Sequence, residues 1–265
     1  MEFEELQQSL AEAKKHPKQT GWAIYHYMKE HLDTMESREA RTLLACYMKM
    51  KLKRPSLLHS MMLQMALRMA NKYADFQFDK FFGMWEYPGI ERIVGYVDFY
   101  DEKHKHYHIY DALSRHFVAI DPHVVPQVHE FVEFTPIIPE DGKFKTAVIH
   151  SVLGTEYETQ AKLATKRPAA YETELSAPTK TGAGAFFYDA VVTKVDEEKG
   201  FFEYRITSEI PTTPEGVMTD IGSGFMGANK LEVEQNVRLL IILRRAKDGV
   251  KRNYVAHICA NDTQV

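Results

Sequence analysis

Over residues 2–84 the apolar positions recur at helical spacing. Leu6, Leu10 and Ala13 form one stripe, Gln19-Thr20-Gly21 interrupts it, and Trp22, Tyr25, Met28 and Leu32 form the next. Ser37 opens a third helix, with a stripe of Leu43, Leu44, Tyr47 and Met48. Arg54-Pro55-Ser56 breaks the chain, because proline cannot continue a helix interior but suits a first turn. Leu57, Met61, Met65, Leu67 and Met69 predict a fourth helix, and Phe76 to Trp85 a short aromatic fifth. The stripe of Met61, Met62, Met65 and Met69 reads as core packing rather than as a plastic partner groove.

After Tyr87-Pro88-Gly89 the period changes. Val94, Tyr96, Phe99, Tyr107, Ile109, Phe117, Val132 and Phe134 fall in short β-rich runs separated by charged turns. Residues 154–184 hold few large apolar side chains and end in a Ser-Ala-Pro-Thr-Lys-Thr-Gly-Ala-Gly-Ala run, which reads as a linker. Strand-like runs resume at Phe186.

These two β segments can be laid over each other. Val97 to Lys103 matches Val192 to Glu198 at an offset of 95, and Glu130 to Phe134 matches Gln235 to Leu239 at 105. The last hairpin, turning at Asp141-Gly142, matches one turning at Asp248-Gly249 at 107. Order is kept and the offset only grows, so the second copy reads as the first with an insertion, placed in the glycine-rich stretch 214–229. Five short strands in each copy suit a small closed barrel, which removes exposed strand edges. The expected architecture is therefore α+β and multidomain. A helical array spans 1–88, a first antiparallel barrel 91–153, a linker 154–184 and a second barrel 185–260.

Charge modifies this picture. The chain carries a net −4, distributed as +2 over residues 1–90, −4 over 91–150 and −2 over 151–265, so no region has a broadly basic face. Basic residues cluster locally instead, at Lys49, Lys51, Lys53 and Arg54, and in the closing hairpin at Arg244, Arg245, Lys247, Lys251 and Arg252. Cys46 and Cys259 lie far apart without metal-ligand spacing. The amphipathic N-terminus has no signal-like apolar core and no apolar run spans a membrane, so a cytoplasmic protein is expected.

One family has a matching order of motifs. Gly95-Tyr96-Val97-Asp98-Phe99-Tyr100-Asp101, His106-Tyr107-His108-Ile109, His116-Phe117-Val118-Ala119-Ile120 and Val128-His129-Glu130-Phe131-Val132-Glu133-Phe134 resemble the cold-shock domain of the OB superfamily. The second copy is similar mainly through Lys199-Gly200-Phe201-Phe202-Glu203-Tyr204 and its closing hairpin. The resemblance implies OB-like barrels that bind single-stranded RNA or DNA by stacking bases on exposed rings. Carried over residue by residue, the stacking face is Phe99, His106, His108, His116 and Phe117, helped by Lys103, Lys105 and Arg115. The family's lysine before the first aromatic is Asp98 here, which would repel phosphate. In the second copy Phe201 and Tyr204 are either a platform or interior.

Other chemistry is less well supplied. His104, His106 and His108 fall on one strand face at period two and could chelate a metal, although an exposed stacking face is the preferred reading and no metal or cofactor is expected. His123 and His129 read as solvated. Gly222-Ser223-Gly224 with Gly227 lacks the strand–turn–helix context of a dinucleotide fingerprint and reads as a flexible loop. With no catalytic constellation present, the expectation is a non-enzymatic binder of single-stranded nucleic acid. The alternative is an adaptor whose helical domain grips a protein partner and whose barrels are docking modules.

Overall fold

The computed structural model describes residues 3–52, 56–85, 92–139, 144–155, 186–210, 212–213 and 216–259. Five helices come first: α1 (Phe3–Ala11), α2 (Pro17–His31), α3 (Ser37–Lys49), α4 (Leu57–Lys72) and α5 (Phe78–Gly83). Ser56 caps α4 by accepting the His59 N–H at 3.2 Å, satisfying a donor that a helix start leaves unpaired. Met61, Met62, Met65 and Met69 are all buried in the helical core, in line with the packing reading. The break expected at Gln19-Thr20-Gly21 is corrected, since α2 runs through it and the chain turns at 12–16 instead. A Cβ on Gly21 would stand 2.7 Å from Leu58 Cδ2. That glycine lets two helices approach closely and does not end one.

The next five strands are β1 (Ile93–Asp101), β2 (His106–Asp111), β3 (His116–Ile120), β4 (Phe131–Ile137) and β5 (Thr146–Gly154). They close into a barrel in the order β1-β2-β3-β5-β4, which fits an OB-like fold. Closure comes from a parallel pairing of β3 with β5, where Val118 stands opposite Thr146. Val97, Ile109, Phe117, Val132, Phe134 and Ile149 fill the interior. At Gly95 a Cβ would meet Ile109 Cγ2 at 2.5 Å and Phe134 Cε1 at 2.6 Å, so only glycine fits there.

Seven further strands follow: β6 (Phe187–Asp196), β7 (Phe201–Ile206), β8 (Thr212–Thr213), β9 (Gly216–Val217), β10 (Ile221–Phe225), β11 (Asn236–Arg245) and β12 (Lys251–Cys259). Five of them form a sheet ordered β10-β7-β6-β11-β12. Strand for strand this is the plan of the barrel, but the second closed barrel expected from the sequence is corrected to an open sheet, since among the described residues no ladder joins β10 to β12. Across the open seam the Asn253 side chain donates to Thr219 O at 2.8 Å and accepts from Thr219 N at 3.3 Å.

The match between the two sheets extends to single residues at the expected offsets. The β1–β2 ladder shifts register between Val97 and Phe99, and the β6–β7 ladder between Val192 and Lys194. Asp101 accepts the His104 N–H, as Asp196 accepts the Lys199 N–H. Lys105 and Gly200 both take positive φ, and so do His129 and Glu234. Glu130 Oε2 accepts the Gln127 N–H, as Gln235 Oε1 accepts the Glu232 N–H. Val97 and Val192 then receive the returning chain through the same pair of backbone bonds.

The insertion is corrected in part. Of the β8–β9 hairpin only β9 falls inside it, β8 preceding it, and Ile221–Phe225 is the third strand of the second sheet and no flexible loop. Gly222 and Gly224 are there because a Cβ would stand 2.4 Å from the Tyr204 hydroxyl oxygen and 2.9 Å from Phe202 Cε1. The glycines let β10 lie flat on two rings. The Asp141-Gly142 turn, Lys53, Arg54 and the expected linker beyond residue 155 lie outside the described residues.

Three bodies are packed together. Tyr96, Tyr110, Ala112 and Phe131 on the outside of the barrel form one buried cluster with Phe186, Phe187, Leu240 and Ile242 of the second sheet. Ser114 Oγ also accepts the Leu243 N–H at 3.1 Å. On the other flank, Ile137 and Val148 belong to the helical core. Lys29 and Arg68 hold Asp121 at 3.0 and 3.2 Å, and Gln64 Oε1 accepts the His123 N–H at 3.2 Å. Among the described residues no helix is long and apolar enough to cross a membrane.

His150 sits at this helical junction, edge-on to Phe78 and 2.7 Å from Thr135 Oγ1. Burial, aided by nearby Arg92, pushes its pKa down to about 4. The folded state therefore keeps the ring neutral while the unfolded chain protonates it near 6.5. Stability present above pH 6.5 is lost as pH falls towards 4, by about 3 kcal/mol from this group alone. Denaturant midpoints of the protein and of His150→Gln, compared between pH 7 and 4.5, are expected to converge as the pH drops.

Candidate functional site

A strand shows alternate residues to opposite faces, so an unbroken β1 would send Val97 and Phe99 the same way. The bulge at Asp98 changes that parity. Val97 points into the core, while Phe99 emerges on the outer face beside its cross-strand partner His108. In β2 the outer set is His106, His108 and Tyr110, and Ile109 is buried inside. In β3 His116 faces out, which forces Phe117 inward.

The outer residues form a row. Phe99 and His108 stack with centroids 4.0 Å apart and planes within 11°. His108 and His116 lie nearly coplanar, planes within 8° and centroids 4.9 Å apart, and meet edge to edge through a hydrogen bond between His108 Nδ1 and His116 Nε2 at 2.8 Å. At the other end the guanidinium of Arg244, reaching over from β11, lies 5.1 Å above Phe99 and 4.7 Å from the ring of Tyr254 on β12. Arg244 Nε also stands 3.5 Å from the buried carboxylate of Asp98. Five planar groups from two sheets thus form one unbroken series of contacts: Tyr254, Arg244, Phe99, His108 and His116. Phe99, His108 and His116 are half-buried, whereas the Tyr254 ring is exposed.

Electrostatics follow from this packing. Burial is the largest influence on His108 and His106 and lowers both, so the imidazoles favour their neutral, stacking form. Burial pushes Asp98 up, opposed by the charge of Arg244. Asp101 goes the other way, to about 2, chiefly because His104 hydrogen-bonds its carboxylate.

Several site residues expected from the sequence need correction. Phe117 is fully buried against Phe134, because it and His116 are neighbours on one strand and cannot share a face. Arg115 is also interior. Its Nε lies 2.8 Å from Asp111 Oδ2, both side chains are inaccessible, and Asp111 Oδ1 further accepts the Leu113 and Arg115 N–H groups. Lys103 and Lys105 are exposed in the β1–β2 turn, where Lys105 reaches Glu102. In the closing hairpin Arg252 pairs with Asp248 at 2.6 Å, Arg245 and Lys247 are exposed, and Lys251 is half-buried. Only Arg244 of that cluster joins the row. The three histidines do not converge, since His104 turns onto Asp101 at 2.7 Å and His108 onto His116. Among the described residues no group of three or more His, Cys, Asp or Glu side chains is placed to hold a metal.

Other partners were not foreseen. His129, read as solvated, has its Nδ1 2.7 Å from the Tyr96 hydroxyl, and His123 bonds Asn71. The docking of the second sheet over Tyr96 and Tyr110 was also missed. Its signal is the unbroken apolar run Leu239-Leu240-Ile241-Ile242-Leu243, which marks a strand buried on both faces. On the matched face of the second sheet, the Phe201 and Phe225 rings pack with centroids 3.9 Å apart and planes tilted by 36°, with Phe225 68% exposed. Tyr204 is interior.

No family model matches the chain, and no curated protein does. Among solved structures the chain is similar to drosophila Unr CSD456, at 10% identity and a TM-score of 0.22. The match covers 66% of this chain and 64% of that one, so the chain spans less than two thirds of that structure.

Proposed function

We propose that the protein binds single-stranded nucleic acid without catalysing a reaction, and that both β modules are OB folds of the cold-shock type. The observation that carries this reading is the row of Phe99, His108, His116, Arg244 and Tyr254, half-open to solvent on the outer face of an OB-like barrel. Flat π-systems and a guanidinium are the groups on which unpaired bases stack irrespective of sequence. The shared strand plan of the second sheet and its Phe201–Phe225 pair support extending the same use to it.

The local acidity of the chain is less opposed to this reading than its composition suggests. The acid that displaces the family's lysine, Asp98, is buried and faces an arginine. The test is fluorescence anisotropy with labelled single-stranded RNA and DNA at low and at physiological salt. Affinity is expected to fall as salt rises. Phe99→Ala, which removes the ring that holds Arg244 and His108 in the row, is expected to weaken binding about tenfold. Absence of binding by the unaltered protein even at low salt would overturn the proposal.

A further inference from the structure

We infer that Arg244 of the second sheet is the phosphate-binding cation of the first barrel's face, and that Asp98 is the positioning residue that holds it over Phe99. The inference rests on the nucleic-acid reading above and adds to it which charge contacts the strand and why two modules are needed.

Three observations converge on this assignment. The first concerns Asp98, which sits at the bulge that also turns Phe99 outward, so one backbone irregularity sets the places of both side chains. Its carboxylate is buried, and the cation facing it, Arg244, comes from the other sheet. A buried carboxylate is costly unless a counter-charge faces it, so Asp98 draws the guanidinium to this spot. The second is the sandwich. The Arg244 guanidinium lies between the rings of Phe99 and Tyr254, 5.1 and 4.7 Å from their centroids, which holds it beside the stacked Phe99–His108 pair. The third is access. The Arg244 side chain keeps 36% of its exposure, and its ion pair runs through Nε, leaving the outer edge of the fork for a ligand. A planar fork of this kind is suited to phosphate oxygens.

The other cations near the row are placed differently. Arg115 is sealed inside against Asp111, and Lys105 reaches Glu102 in the turn. The second sheet thus restores the positive charge that Asp98 removes from the first barrel. In the second sheet, the residue matched to Asp98 is Thr193, and Lys194, matched to Phe99, pairs with Glu203. That copy does not repeat the device, so the composite site exists once.

The experiment is anisotropy of a labelled single-stranded RNA of mixed sequence across a salt series, with the whole protein and three variants. Arg244→Gln is expected to weaken binding about tenfold and to flatten the slope of log affinity against log salt by roughly 0.7, the value for one phosphate contact on a single strand. Arg244→Lys should restore the slope more fully than the affinity. Asp98→Asn keeps the cation but loosens it, so affinity should fall while the slope is retained. Should Arg244→Gln fail to fold because Asp98 is left unpaired, the double variant D98N/R244Q removes that buried charge and takes its place in the series. A folded variant lacking Arg244 whose salt slope equals that of the unaltered protein overturns the inference. Failure of the unaltered protein to bind at any salt instead overturns the nucleic-acid reading beneath it.

Discussion

Phe117→Ala is expected to lower folding stability by about 3–5 kcal/mol, the cost of emptying a large aromatic from a closed core. Phe117 is fully buried in a barrel that has no free edge along which to relax, and it packs edge-on against Phe134. The urea midpoint is expected to fall with little change in slope. Nucleic-acid affinity per folded molecule should stay close to that of the unaltered protein. A variant of undiminished stability that loses binding would place the ring outside and reverse the register of β3.

The second large effect is expected at Arg115→Ala, again about 3–5 kcal/mol, because it leaves the carboxylate of Asp111 buried without its counter-charge. Asp111 anchors the turn between β2 and β3 through two backbone N–H groups. Loss of the arginine therefore strains the turn that sets the position of His116. The double variant D111N/R115A is expected to be markedly less destabilised than the two single changes summed, since it leaves no lone charge. Additive costs in a double-mutant cycle from denaturant curves would show that the pair is uncoupled.

These two residues also mark what the sequence can and cannot say about the site. Strand content, the paired hairpins and the repeat were legible, because offsets of 95 and 105 align residues that make the same caps, bulges and turns. Phe99, His108 and His116 were legible as a face through spacing and the order of motifs. Placing Phe117 on that face failed on strand parity, which resemblance to a motif does not enforce. Arg115 failed because a cation in a turn reads as solvated until its partner four residues away is seen to be buried with it. Arg244 was visible only as one charge in a basic hairpin. Its role depends on a contact between residues 98 and 244 that no local pattern encodes. Phe225 was hidden for another reason, since its glycine-rich setting mimics a loop, and only the rings of Tyr204 and Phe202 explain those glycines.

The apolar face shared by the barrel and the second sheet has a consequence for synthesis. Tyr96, Tyr110 and Ala112 leave the ribosome well before Leu240 and Ile242, which will cover them. At translation rates of about 5–20 residues per second, that delay is on the order of ten seconds. For that time a completed barrel carries a sticky flank, so the nascent chain is most prone to misassociate after its first β module has folded, and crowding of ribosomes on one message would bring such flanks together.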